Sequence, residues 1–115
     1  MITDSDMDHL FQALAHATRR AILDHLRDEP GIPVGKLASK FDVSRVAIMM
    51  HLGVLERANL VLSEKEGRTR KLYLNAIPIQ QIHERWTDQY SEYFASRLTS
   101  LKHAAERVAK QEGKQ

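Results

Sequence analysis

Residues 41–60, FDVSRVAIMMHLGVLERANL, constrain the fold more than any other stretch of the chain. They read as a turn, a helix and a stop. Ser44 stands where an N-cap belongs, its hydroxyl placed to accept from an orphan backbone N–H. Asn59 follows the last apolar residue, where a left-handed residue ends a helix. Between them Ile48, Leu52 and Leu55 recur at helical spacing, with Ala47, His51 and Ala58 beside them, and predict a buried stripe. The opposite stripe holds Val46, Met49, Met50, Gly53 and Arg57, with Arg45 at its N-terminal edge. That second face is neither charged like a solvated surface nor needed by the same core.

Upstream, Val34, Leu37, Ala38 and Phe41 fall at i, i+3, i+4 and i+7 and predict a short helix over 34–41. Asp42-Val43 is a tight connection. Two short helices so joined, the second capped by serine and opened by a basic residue, make a helix-turn-helix pattern, though an ordinary helical hairpin has the same spacing. The next segment separates the two. Residues 60–75 read as a β-hairpin, with Leu60 and Leu62 alternating on one arm, Leu72 and Leu74 on the other, and Glu66-Gly67 as the turn. Lys65, Arg68, Arg70 and Lys71 lie near its tip. A basic hairpin after a recognition-type helix is the layout of a winged helix, in which the helix enters the major groove and the wing meets phosphate or the minor groove.

Thr18-Arg19-Arg20-Ala21-Ile22-Leu23, Leu37-Ala38, Ser44 to His51-Leu52, Val54-Leu55, Leu60-Val61, Gly67-Arg68 and Tyr73-Leu74 together resemble the ArsR family of winged-helix transcriptional repressors, over about residues 8–75. The resemblance implies a mainly α chain with a small β-hairpin (α+β), a winged helix-turn-helix whose N- and C-terminal helices form a dimer interface. It implies a homodimer on double-stranded DNA with an inverted-repeat operator. The DNA-facing residues are then Ser44 as cap and phosphate contact, Arg45 on a guanine edge, Val46, Met49 and Met50 in the groove, Lys36 and Lys40 on phosphate, and Arg68 and Arg70 on the wing. Two methionines offer no hydrogen-bond donor, so shape and phosphate contacts carry more of the specificity. The competing reading is a winged-helix protein-interaction module whose apolar Val46-Met49-Met50 face meets a protein partner.

Metal sensing occurs in this family, but Leu37-Ala38-Ser39 has no cysteine for a thiolate site, and the chain has none at all. A second family site places ligands early and late on the last helix. His103 and Glu106 fit the late half and only Glu92 the early half, a poor donor set for zinc, so neither a metal nor a cofactor is expected. No nucleophile elbow, phosphate-binding glycine loop or metalloprotease motif is present, so catalysis has no support. No effector is indicated.

A length of 115 residues with 43% hydrophobic and 28% charged residues describes one globular domain. No apolar run approaches a membrane span, and the acidic start Asp4-Ser5-Asp6 lacks a signal-peptide pattern, which together predict a cytoplasmic protein. Net charge is only +2, but residues 34–75 carry eight basic side chains against four acids, whereas residues 1–33 carry three against six. The positive balance falls on the segment that faces DNA.

Residues 7–33 predict two helices and a loop. Met7, Leu10, Phe11 and Leu14 form the first face, with Asp6 as its cap. Thr18 caps the second, which runs to about Arg27 through Ala21, Ile22, Leu23 and Leu26. Arg19 and Arg20 in its first turn oppose the helix dipole and call for a partner, either an acid such as Asp24 or a DNA phosphate. A short strand at Ile32 has the option of pairing with the wing. Residues 78–110 predict one long amphipathic helix, or two with a bend near Thr87-Asp88-Gln89, before a frayed tail at 111–115. Trp86, Tyr90, Tyr93, Phe94, Leu98 and Leu101 load it with more apolar surface than a small domain covers, and with Leu10, Phe11 and Leu14 they are the candidate dimer interface.

Overall fold

The computed structural model describes residues 2–87 and 91–112, without the side chains of Ser91, Glu92, Phe94 and Glu112. The chain forms two compact units, Met1–Gln81 and Ile82–Gln115.

In the first unit α1 (Asp4–Leu14) begins three residues earlier than its apolar pattern predicts. Thr3, not Asp6, is the N-cap. Its Oγ1 accepts from the Asp6 amide at 3.0 Å, and the Asp6 carboxylate accepts from the Thr3 amide at 3.0 Å, closing a capping box. These hydrogen bonds hold the Asp6 carboxyl below its usual pKa. The start of α2 (Ala17–Asp28) is also corrected: His16 is the N-cap, its Nδ1 accepting from the Thr18 amide at 3.1 Å, and Thr18 lies inside the helix.

β1 (Ile32–Pro33) leads into α3 (Val34–Ala38), which is shorter than predicted. The Ser39 hydroxyl donates to the Lys36 carbonyl at 2.6 Å, satisfying an end group locally. Phe41 sits beyond the helix and packs edge-to-face on His25, ring centroids 5.4 Å apart.

α4 (Arg45–Arg57) matches its sequence signals at both ends. The Ser44 hydroxyl accepts from the Ala47 amide at 3.1 Å. Asn59 is left-handed at φ 60°, the Leu60 amide reaches back to the Leu55 carbonyl at 2.9 Å, and the Asn59 amide to Glu56 at 3.0 Å. That bonding pattern is a Schellman motif, and its two apolar members, Leu55 and Leu60, are both fully buried.

The wing is β2 (Val61–Glu66) against β3 (Thr69–Leu74), and β1 pairs with the other edge of β3, so the sheet order is β1-β3-β2, all antiparallel. The predicted alternation slips by one residue. Val61 pairs with Leu74 and Ser63 with Leu72, so these share the inward face while Leu62 points out. Leu60 is buried as part of the helix cap, not as a strand residue. Glu66 pairs with Thr69, which makes Gly67-Arg68 the two-residue turn, with φ 63° at Gly67.

The core of this unit joins Leu10, Ile22, Leu26, Ile32, Leu37, Ile48, Leu52, Leu55, Leu60 and Leu72, each under 2% exposed. Each such side chain contributes roughly 1.5–3 kcal/mol relative to leaving it in water. Among the described residues no buried side-chain polar atom lacks a partner.

α5 (Ile77–Trp86) carries Pro78 in its first turn and starts where the Asn75 side chain accepts from the Ile77 amide at 3.3 Å. α6 (Ser91–Glu112) is the last described helix, and Asp88 and Gln89 of the expected bend lie outside the described residues. No helix among the described residues is long and apolar enough to cross a membrane.

Candidate nucleic-acid interface

The buried stripe of α4, Ile48, Leu52 and Leu55, fixes which way the rest of the helix points. Val46 and Met50 stand 70% and 68% exposed on the opposite side, with Met49 between them and the wing. An open groove of about 340 Å³ gathers Arg45 and Met49 from α4, Gly35 from α3, and Arg68, Thr69 and Arg70 from the wing. Residues far apart in the chain thus meet at the N-terminal end of the helix, where both candidate base-reading and wing residues converge.

The cations of this face are not equally available. Arg70 is bound to Glu56 of α4, which ties the wing to the helix. The Lys36 ammonium lies 3.0 Å from both oxygens of Glu29. Lys71 pairs with Glu66 at 2.6 Å, an attraction that raises the Lys71 pKa and lowers that of Glu66. Among the described residues Arg45, Arg57, Arg68, Lys40 and Lys65 have no ion-pair partner. Of the residues singled out from sequence, Ser44, Arg45, Val46, Met49, Met50, Lys40 and Arg68 are exposed and free to meet a ligand. Lys36 and Arg70 are committed to carboxylates of their own chain. Sequence reasoning gave no role to Gly53 and Arg57, although their spacing from Met50 already placed them on the outward stripe.

Among the described residues Arg19 and Arg20 pair with no acid, and backbone carbonyls take them instead. Arg19 Nε donates to the Ala13 carbonyl at 2.9 Å and its NH2 to Gln12 at 3.0 Å, while Arg20 NH1 donates to Leu14 at 2.7 Å. They cap the C-terminal carbonyls of α1, and their charge complements the negative end of that helix. Asp24 pairs instead with Arg27. His51 lies under the outward face, its ring 4.5 Å from that of His16 and its Nδ1 3.4 Å from Arg19 NH1. A guanidinium only donates, so this contact uses the Nδ1 lone pair and leaves the proton on Nε2. Burial, then the neighbouring His16 and Arg19, push the His51 pKa down.

The residues assigned to a dimer interface separate. Leu10 is 1% exposed inside the core of its own unit and is not offered to a partner, a correction with a simple cause: it lies on the same stripe as Met7 and turns toward α2 and α4. Leu14 is half-buried, whereas Phe11, Trp86, Tyr93, Leu98 and Leu101 are exposed within the chain. Tyr90 and the side chain of Phe94 fall outside the described residues. Among the described residues no group of three metal-ligating side chains comes together, and Glu106 lies 3.9 Å from the Lys102 ammonium; the side chain of Glu92 is also outside them.

Comparison with known proteins agrees with this geometry. Residues 14–64 match a family described as a helix-turn-helix domain. The chain is 36% identical to YuzN of Bacillus subtilis, an HTH-type transcriptional regulator, over 74% of this chain and 99% of that one. It is 31% identical to the transcriptional repressor SdpR of the same organism, over 64% of this chain and 81% of that one. A crystal structure of an ArsR family transcriptional regulator superposes with a TM-score of 0.66 at 31% identity, covering 82% of this chain and 95% of the other. These relatives are named as regulators of transcription. The chain therefore belongs to the ArsR family of winged helix-turn-helix transcriptional regulators, and α3 and α4 lie within the matched helix-turn-helix domain.

Proposed function

We propose that the chain acts in the cytoplasm as a homodimeric repressor on an inverted-repeat operator, each α4 lying in a major groove with a wing against the flanking minor groove or phosphates. The observation that carries this reading is the shared groove in which unpaired Arg45 and Arg68 flank Met49. Arg45, in the first turn of α4, reaches a guanine edge. Val46, Met49 and Met50 pack on thymine methyls, and Ser44 and Lys40 meet phosphate. Lys36 and Arg70 join only if Glu29 and Glu56 release them.

One such helix reads few base pairs. A two-fold dimer places two of them about 34 Å apart, which matches an inverted repeat. The dimer rests on apolar residues the chain leaves uncovered: Tyr93, Leu98, Leu101 and Val108 on α6, Trp86 on α5 and Phe11 on α1. Similarity to SdpR, named a transcriptional repressor, supports the direction of control.

The test is selection of duplexes from a random pool by the purified chain, followed by gel-shift titration. A symmetric consensus is expected, with Arg45→Ala costing about 1–3 kcal/mol and relaxing one position of each half-site. No enrichment, or weak binding insensitive to salt, refutes the reading and favours a protein partner on the Met50 face.

A further inference from the structure

We propose that Gly53 and Arg57 mark the place where the DNA backbone crosses α4: the bare glycine lets a phosphate approach the helix closely, and the Arg57 guanidinium receives it. This rests on the DNA-binding reading above and adds two contacts to it.

Gly53 lies inside the 13-residue α4, and glycine is the poorest helix former after proline. Nothing among the described residues requires it there. A Cβ built on Gly53 meets no backbone and no core side chain, only Arg57 NH1 at 3.7 Å, an ordinary contact. Its backbone is not left-handed, so conformation does not call for glycine either. The missing side chain therefore answers to something outside the chain.

Position identifies what that is. Val46, Met50, Gly53 and Arg57 are separated by four, three and four residues, so they run along one line of the helix, opposite Ile48, Leu52 and Leu55. At a rise of 1.5 Å per residue Gly53 stands about 12 Å from Arg45. The major groove is about 12 Å wide. With Arg45 on base edges beside one wall of the groove, the proposal puts the phosphodiester strand of the other wall at Gly53. Arg57 lies folded over that spot and, among the described residues, has no hydrogen bond or ion pair of its own. Arg19 lines the same side but has its nitrogens engaged by Ala13, Gln12 and His51.

Such contacts fix register without reading sequence. The test uses the full chain, its selected duplex and random DNA, with Gly53→Ala, Gly53→Leu, Arg57→Ala and Arg45→Ala. Gly53→Ala is expected to melt a few degrees higher as free protein, because alanine favours the helix and has room. It binds both DNAs about tenfold more weakly, and Gly53→Leu more weakly still. Arg57→Ala lowers the slope of log affinity against log salt by about one per subunit on both DNAs. Unchanged affinity in Gly53→Ala, or an unchanged slope in Arg57→Ala, overturns the proposal while leaving the DNA reading intact. So does a binding loss in Gly53→Ala that comes with a lower melting temperature. Loss of discrimination in Arg45→Ala alone shows the groove reading standing without this contact, whereas failure of the unmodified chain to bind any duplex removes both.

Discussion

Arginine 19 offers the sharpest test of how the helices of the first unit are held. Two of its nitrogens satisfy the Ala13 and Gln12 carbonyls at the end of α1, at 2.9 and 3.0 Å, and a third lies 3.4 Å from His51 on α4. One side chain thus links three helices. A hydrogen bond with a charged partner contributes ~1.5–3 kcal/mol when sheltered. Here one carbonyl bond is part-buried and the other exposed, so Arg19→Ala should destabilise by about 1–3 kcal/mol. For a domain of this size that lowers the melting temperature by on the order of 10 °C. Arg20→Ala is the control: a single exposed bond to Leu14, at 2.7 Å, should count for about 0.5 kcal/mol. The assay is thermal and urea unfolding at one fixed protein concentration, since association also shifts the transition. Salt titration of DNA binding accompanies it. Arg19→Ala should leave the salt slope where it was, because its charge serves α1 and not a phosphate. Equal melting temperatures for the two variants, or a slope reduced by about one in Arg19→Ala, refutes the capping role.

Acidification should weaken the fold through His51. Its pKa lies below the ordinary histidine value of 6.5, so the unfolded chain takes the proton first; stability is complete above that value and is lost as pH falls toward the folded pKa. The melting temperature should fall between about pH 7.5 and 5.5, and less so in His51→Phe; an equally steep fall in that variant excludes His51 as the source. Arg68→Ala should lower the salt slope of DNA binding by about one per subunit, while Lys36→Ala, whose ammonium is held by Glu29, should change it little; the reverse order in the same titration contradicts the charge assignment. Leu98→Asp with Leu101→Asp should convert a dimer to a monomer by light scattering and abolish the gel shift, and a dimeric double variant removes α6 from the interface.

What the sequence shows is geometry decided within a turn or two of chain. Ser44 caps α4 and Asn59 ends it because the bonds involved span three to five residues, so residue type and spacing suffice. A period of two, by contrast, does not say where a strand begins. Leu60 belongs to the helix cap, the strand starts at Val61, and every inward residue of β2 moves by one. A stripe of apolar residues on α1 does not tell a core from an interface, and Leu10 and Phe11 go opposite ways. The partners of Arg19 and Arg20 lie six and seven residues back across a turn, outside the helical spacing where an acid would be sought.

Charge is the property least legible in one dimension. The excess of basic residues over 34–75 promises more cations for DNA than the fold leaves free. Glu56 takes Arg70 and Glu66 takes Lys71, both from within that segment, and Glu29 reaches in from outside it to hold Lys36. Among the described residues the cations left without an ion pair there are Arg45 and Arg57 on α4, Lys40 before it, and Lys65 and Arg68 on the wing. Such a set can support salt-dependent association from two arms of one face. On the proposed reading Arg45 is the residue that meets a base edge, and between it and Arg57 the helix presents methionine, valine and glycine. If the chain binds DNA as proposed, discrimination by hydrogen bond is concentrated on one residue of each copy, and the remaining selectivity has to come from methyl contacts and from how readily the duplex takes the shape that two paired helices demand.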